Sequence, residues 1–290
     1  MEKDSITVGS LARGMQSRLS PIYGESEAKA MVRLIFHSLK GWSLTDMMIH
    51  SDNPVSQYML DKTGEIVVRL LKNEPIQYIL GEAYFYGMNL KVNRSTLIPR
   101  PETEELADLI IQENGSRKDL RVLDIGTGSG AIAIALSRNL PFADVMAIDI
   151  SSDALRTAEE NAESLHCNIR FMCEDIFRYE PMTDSLDIIV SNPPYIDESE
   201  KDSMEKNVLE YEPHSALFVP DNNPLIYYTR IAEIATDALQ SEGRLYFEIN
   251  PRHSSELAIY LENEGFADVC VIKDINGKER FIKCRKREIN

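Results

Sequence analysis

Between Arg121 and Leu136 the chain passes from a short apolar run, Arg121-Val122-Leu123-Asp124-Ile125, through Gly126-Thr127-Gly128-Ser129-Gly130 into a stretch carrying Ile132, Ile134, Ala135 and Leu136. The run is too short for a helix and reads as a buried strand; the stretch after the glycines has a helical pattern. Strand, glycine turn and helix in direct succession open an α/β sheet, and the glycines let the backbone approach a ligand of nucleotide type. The spacing is Gly-x-Gly-x-Gly. Dinucleotide-binding chains usually show Gly-x-Gly-x-x-Gly, and the Gly-x-x-x-x-Gly-Lys of a P-loop is absent.

A second strand, Asp144 to Ile150, carries Asp149 near its end, roughly 20 residues beyond the glycines, where an acidic side chain suits ribose hydroxyls. A helix follows from Ser152 or Asp153 through Leu155, Ala158 and Ala162. The third strand, Ile169 to Cys173, ends at Glu174-Asp175. Asp175 suits the amino group of an adenine, with Ile176 and Phe177 as apolar cover. Any one of these acids alone reads as structural; their recurrence at successive strand ends favours a binding site.

A fourth strand, Leu186 to Val190, runs into Ser191-Asn192-Pro193-Pro194-Tyr195. These residues leave the sheet at its carboxyl edge, where open α/β sheets bind their ligands. Two prolines fix φ twice and remove two backbone donors, so the loop is stiff and rich in acceptors. The side-chain oxygen of Asn192 and the carbonyl of Pro193 suit the two hydrogens of a planar amide or an aromatic amine, and Tyr195 suits stacking on the planar group. Such a nitrogen is a poor nucleophile because its lone pair is delocalised. Fixing both hydrogens favours the rehybridised nitrogen, and with it the transition state for attack on an electrophilic carbon. A rigid turn opening on Asn-Pro accounts for the same residues taken alone.

With 290 residues the chain has room for one or two domains. No stretch approaches the roughly 20 apolar residues of a membrane span, and the start, Met1-Glu2-Lys3-Asp4-Ser5, has no signal-peptide core, so the expected location is the cytoplasm. A net charge of −16 opposes a large phosphate-binding surface, so no direct nucleic-acid partner is expected. Cys167, Cys173, Cys270 and Cys284 lack metal or disulfide spacing and read as reduced, partly buried thiols, while His214 and His253 lack a cluster of ligands; no metal is expected. The basic end, Lys283 to Arg287, reads as a solvated tail.

Residues 1–73 read as a helical domain: Leu11, Met15 and Leu19 keep a helical period, as do Met31, Leu34, Ile35 and Leu39, and again Ile66, Val67, Leu70 and Leu71. Ser43 with Asp46 opens a short segment, and Pro54 fits the first turn of the next helix. Residues 74–98 read as a linker with a hairpin around Gly87-Met88, and 99–290 as the second domain. In Leu97-Ile98-Pro99-Arg100-Pro101-Glu102-Thr103-Glu104 a helix starts at Pro101 or Glu102. Arg100 between its two prolines is unexplained by a helix start. Ile196 to Asn223 reads as a long polar loop of the kind that forms lids. Helices from Pro224 to Leu239 and Ser254 to Asn263 alternate with a strand over Gly243 to Ile249, and two last strands flank an Asn276-Gly277 turn.

Taken together, Asp-x-Gly-x-Gly-x-Gly after a strand, an acid ending the next strand and Asn-Pro-Pro-Tyr after the fourth resemble a class I S-adenosyl-L-methionine-dependent methyltransferase acting on a planar nitrogen. Leu97 to Glu104, Asn192 to Ile196 and Tyr211-Glu212-Pro213 resemble more closely the PrmC (HemK) type, weakly over the first 70 or so residues and strongly from Pro75 onward. That family methylates the side-chain amide nitrogen of the glutamine in the Gly-Gly-Gln motif of peptide chain release factors. The resemblance implies a Rossmann-like, seven-stranded, mostly parallel sheet with an antiparallel final hairpin, preceded by a small helical bundle. It implies that Gly126, Thr127, Gly128, Ser129 and Gly130 hold the methionine and ribose part of S-adenosyl-L-methionine, Asp149 the ribose, and Asp175 with Ile176 the adenine. Asn192, Pro193, Pro194 and Tyr195 would hold the glutamine amide, with Asn192 also beside the cofactor, and Asn192, Pro193 and Tyr195 serving direct methyl transfer without a covalent enzyme intermediate. Some relatives carry an aromatic residue where this chain has Ile176. The alternative is a methyltransferase acting on the exocyclic amine of adenine in DNA or RNA, which the acidity opposes; a non-enzymatic adaptor is opposed by the intact glycines and Asn192.

Overall fold

A computed structural model of the chain describes residues 6–287. The start read above as lacking a signal-peptide core, Met1 to Ser5, lies outside the described residues. The chain divides into two compact units: the part up to Gly81 together with Glu205–Tyr211, and Glu82–Met204 with the chain from Glu212 onward.

The first unit is helical. Helix α1 (Val8–Lys40) opens on a capping box between Thr7 and Ser10 and is broken at Gly24, whose φ of 77° leaves the helical region three residues after Pro21. Helix α2 (Leu44–Ile49) is capped by Ser43 and Asp46. The start of α3 (Gln57–Leu70) differs from expectation: Ser56 caps it through the amide of Met59, and Pro54 lies upstream in a β-bridge to Thr7. A proline lacks the N–H that a strand ladder would need, so it fits such an isolated edge pairing. Helix α4 (Ile76–Leu80) follows. Leu19, Ile35, Phe36 and Leu70 are fully buried at the centre of this unit. Arg69 closes its carboxyl side with a two-point pair to the buried Glu74, at 2.7 and 2.8 Å, and the Tyr211 hydroxyl donates to the Lys72 carbonyl at 2.9 Å.

The second unit starts with the hairpin β1 (Glu82–Phe85) and β2 (Met88–Lys91). Its turn is Tyr86-Gly87, both at positive φ, as two-residue hairpin turns require. Then come α5 (Pro101–Asn114), β3 (Arg121–Ile125), α6 (Ala131–Asn139), β4 (Asp144–Asp149), α7 (Ser152–Ser164), β5 (Ile169–Cys173) and β6 (Leu186–Ser191). The stretch read as a long loop is largely structured: it holds β7 (Ile196–Asp197), α8 (Lys206–Tyr211, which counts with the first unit) and β8 (Phe218–Val219), with β7 and β8 paired in parallel. Short polar helices with no apolar stripe leave little periodic signal, which is why the segment reads as a loop. Helix α9 (Ile226–Ala238), β9 (Leu239–Glu248), α10 (Ser254–Asn263), β10 (Ala267–Lys273) and β11 (Glu279–Arg285) complete the unit.

Seven strands form one sheet in the order β10-β11-β9-β6-β3-β4-β5. Strands β9, β6, β3, β4 and β5 run parallel, and β11 lies antiparallel between β9 and β10. Every residue of β6 is buried, which is what a parallel strand covered on both faces demands and why Leu186 to Val190 shows no polar alternation. Two apolar clusters provide that cover. Leu106, Ile110 and Leu136 pack with Val122, Ile188 and Val190 in one, and Ile231, Ala235, Leu257 and Leu261 pack with Leu123 and Ile189 in the other. The hairpin is anchored by the buried Asn161 of α7, whose side chain bonds both the N–H and the carbonyl of Lys91 and the carbonyl of Ser129.

The basic end is no solvated tail. Lys283 and Arg285 lie in β11, where Lys283 pairs with Glu113, and Arg285 pairs with Asp268 and Glu242; Lys286 bonds Asp184 at 2.7 Å. The four cysteines are free, with Cys284 buried and Cys167 half-buried as read, but Cys173 and Cys270 exposed. No helix among the described residues is long and apolar enough to cross a membrane.

Candidate active site

The parallel strands bring the ends of β3, β4, β5, β6 and β9 to one edge of the sheet. At the end of β3, Gly126, Gly128 and Gly130 all take positive φ, at 73°, 57° and 82°. Only glycine adopts this backbone without strain. A Cβ on Gly130 would stand 3.1 Å from that of Ala158, so the third glycine lets α6 and α7 close together, whereas over Gly126 and Gly128 a Cβ would meet nothing within 4 Å. Those two glycines expose backbone to open space. The amides of Gly126 and Thr127 donate to the Ile148 carbonyl and tie the turn to β4.

Two acids sit against this turn. Asp149 accepts from the Gly128 and Ser151 amides, both at 2.9 Å, and burial nonetheless holds its carboxyl above the ordinary range. Asp124 is fully buried on β3: Oδ2 accepts from the Thr127 hydroxyl at 2.7 Å and the Ala133 amide at 3.2 Å, while Oδ1 is buried with no hydrogen-bond partner among the described residues. Desolvation pushes Asp124 up to about 7, with the neighbouring Asp149 adding to the effect. Buried acceptors normally find partners. An orphaned acidic oxygen, a second carboxylate and open space above two glycines fit a ligand rich in ammonium and hydroxyl donors, as the aminoacyl and ribose parts of S-adenosyl-L-methionine are.

At the end of β5, the Glu174 amide donates to the Asp149 carbonyl, so Asp175 and Ile176 follow at the neighbouring strand end. The Asp175 carboxylate accepts from the Phe177 amide at 3.0 Å and lies 3.8 Å from Arg178. Ile176 is half-buried, and its carbonyl accepts from Nε of Arg230.

Asn192 directly follows β6, and Ser191 is paired with Ile125, the last residue of β3. The Ser191 hydroxyl donates to the Ile125 carbonyl at 2.7 Å and locks the two strand ends together. Pro193 is buried, and Asn192, Pro194 and Tyr195 are half-buried. The Asn192 side-chain amide donates to Oγ1 of Thr103 at 3.2 Å, Thr103 donates to Oε2 of Glu248 at 2.7 Å, and the Tyr195 hydroxyl donates to Oε1 of Glu248 at 3.0 Å. Burial and the Glu248 charge push the Tyr195 hydroxyl well up. Burial also raises Glu248, which its two hydroxyl donors and Arg280 counteract. Asn250 holds the Tyr195 carbonyl.

The structure thus joins Asn192 with Tyr195, and Asp149 with Gly128, and it adds residues that sequence reading did not single out as functional. Asp124, Thr103 and Glu248 lie within stretches read as strand or helix start. For Glu248 a signal existed: it is another acid at the end of an apolar strand, as Asp149 is. Arg100 is also explained, since Nη2 meets Oε1 of Glu212.

A parallel sheet with one antiparallel strand set between its last two, a glycine turn after β3 and an acid ending β4 define a class I S-adenosyl-L-methionine-dependent methyltransferase. Residues 103–213 match the model of the methyltransferase small domain, and residues 11–81 that of the PrmC N-terminal domain. The release factor glutamine methyltransferase of Flavobacterium psychrophilum is 45% identical over 93% of this chain and 95% of its own length. That of Bacteroides thetaiotaomicron is 46% identical over 94% and 98%. In fold, the crystal structure of a methyltransferase from Pyrococcus furiosus is similar, with a TM-score of 0.52 at 18% identity over 76% of this chain and 98% of that one. The chain belongs to the release factor glutamine methyltransferase family.

Proposed function

We propose that the chain methylates the side-chain amide nitrogen of the glutamine in the Gly-Gly-Gln motif of peptide chain release factors, in the cytoplasm, where translation takes place. Family membership supports the substrate. The observation that carries the chemistry is the adjacency of Asn192 and the glycine turn, at the ends of two paired strands. In this reading Gly126 to Gly130 hold the cofactor's methionine and ribose part with Asp124 beneath them, Asp149 takes the ribose hydroxyls, and Asp175 with Ile176 takes the adenine. Bound there, S-adenosyl-L-methionine would supply a methyl group on a positively charged sulfur, the N–C bond forming as the S–C bond breaks and the methylated nitrogen then giving up one proton to water.

The chain's own residues prepare the acceptor. Oδ1 of Asn192 takes one amide hydrogen and the Pro193 carbonyl the other, and Pro194 has no N–H to compete for that carbonyl. Tyr195 lines the planar group with its ring while its hydroxyl stays committed to Glu248. Both hydrogens held in fixed directions favour the nitrogen geometry of the transition state over the planar ground state. The −16 net charge disfavours the nucleic-acid alternative.

Replacing Asn192 tests the assignment. Asn192→Ala is expected to lower kcat by about 100-fold while cofactor affinity, read by calorimetry, changes little. Unchanged turnover would reject the role.

A further inference from the structure

We infer that Glu248 and Thr103 are positioning residues that set which way the Asn192 amide faces. The inference rests on the proposed role of Asn192 and adds its cause. An ionised carboxylate only accepts hydrogen bonds, and a threonine hydroxyl has a single proton to give. Thr103, 5% exposed on the first turn of α5, gives that proton to Oε2 of Glu248 at 2.7 Å. What it receives from Asn192, 3.2 Å away, is therefore an N–H. The NH2 end of Asn192 is turned toward Thr103, and Oδ1 is turned away from it. In the opposite orientation Oδ1 would face a hydroxyl oxygen with no proton left, and an NH2 would stand where the substrate amide brings its own hydrogens.

The carboxylate end of this relay is itself fixed. Glu248 ends β9 and is 1% exposed; its other oxygen accepts from Tyr195 at 3.0 Å. The Tyr228 hydroxyl donates to the Glu248 carbonyl at 2.9 Å and holds the strand end. Burial pushes the Glu248 carboxyl up, while the Thr103 and Tyr195 hydroxyls and then Arg280 favour the ionised form that accepts from both hydroxyls. Both residues of the motif that flank its prolines, Asn192 and Tyr195, thus answer to one buried carboxylate.

Thr103→Val keeps the shape and removes the hydroxyl. It is expected to lower kcat about 10-fold, the worth of one oriented hydrogen bond, with cofactor Kd within about twofold as the check on folding. Thr103→Ser is expected to restore most of the loss. Glu248→Gln can turn either its oxygen or its NH2 toward Thr103, so it is expected to lower kcat by only a few-fold. The deciding measurement is a double-mutant cycle: in the Asn192→Ala background Thr103→Val should cost less than about twofold. Equal costs in both backgrounds, or a Thr103→Val enzyme with wild-type kcat, would overturn the inference. If Asn192→Ala itself leaves kcat unchanged, the underlying assignment of Asn192 fails instead.

Discussion

Nη2 of Arg100 lies 2.5 Å from Oε1 of Glu212, whose side chain is 1% exposed, and the other oxygen of that carboxylate accepts from the Ile98 amide at 3.1 Å. One buried acid thereby fixes the segment that leads into α5, and α5 carries Thr103 into the site. Removing one partner of a buried pair strands the other charge. Because Arg100 is a third exposed, Arg100→Ala is expected to cost about 2–3 kcal/mol, toward the low end for such pairs. Glu212→Gln, which keeps an acceptor for Ile98, should cost less. Urea denaturation of both variants checks this, and a silent Arg100→Ala would show that the pair does not hold the segment.

The Asp149 carboxylate accepts from the Gly128 and Ser151 amides, and in the proposed assignment it also takes the ribose hydroxyls of the cofactor. Asp149→Ala is therefore expected to weaken cofactor binding by about 10- to 100-fold, the range for losing charged hydrogen bonds. Calorimetry with S-adenosyl-L-methionine gives the answer. Wild-type affinity would remove Asp149 from the ribose site.

The buried Asp124 makes stability depend on pH. Its carboxyl is held near 7 in the fold against an ordinary 3.8, so the native state binds this proton more tightly than the unfolded chain does. The favourable contribution is complete below the unfolded value and is lost as pH rises toward about 7. Between about pH 5 and pH 8 the ligand-free protein is expected to lose roughly 3 kcal/mol on this account, and Asp124→Asn to lose none of it. Urea midpoints across that interval report the difference. A gap between the two proteins that stays constant with pH would contradict the assignment.

What was legible in the sequence followed local period and punctuation. Strand β5 and helix α10 fall where the apolar pattern places them, and the hairpin turn lies on Tyr86-Gly87 beside the expected Gly87-Met88. The glycine turn and the proline pair of the candidate site were legible as motifs, because each constrains the backbone on its own. What was not legible rests on pairs far apart in the chain. Thr103 and Glu248 are separated by 145 residues, Arg100 and Glu212 by 112, and Asn192 and Thr103 by 89. No local periodicity carries those meetings; the sheet order makes them. The basic end was misread for the same reason, since the acids that neutralise Lys283, Arg285 and Lys286 are supplied by other elements.

Methyl transfer onto a glutamine side-chain nitrogen is read most directly from its product. The purified protein would be incubated with labelled S-adenosyl-L-methionine and, separately, with a release factor, its Gly-Gly-Gln to Gly-Gly-Ala variant, and a mixture of duplex DNA and RNA, and the label located by mass spectrometry. Label is expected on that glutamine of the intact factor and on nothing else. Label on adenine, or a Gly-Gly-Ala factor labelled as well as the intact one, would contradict it.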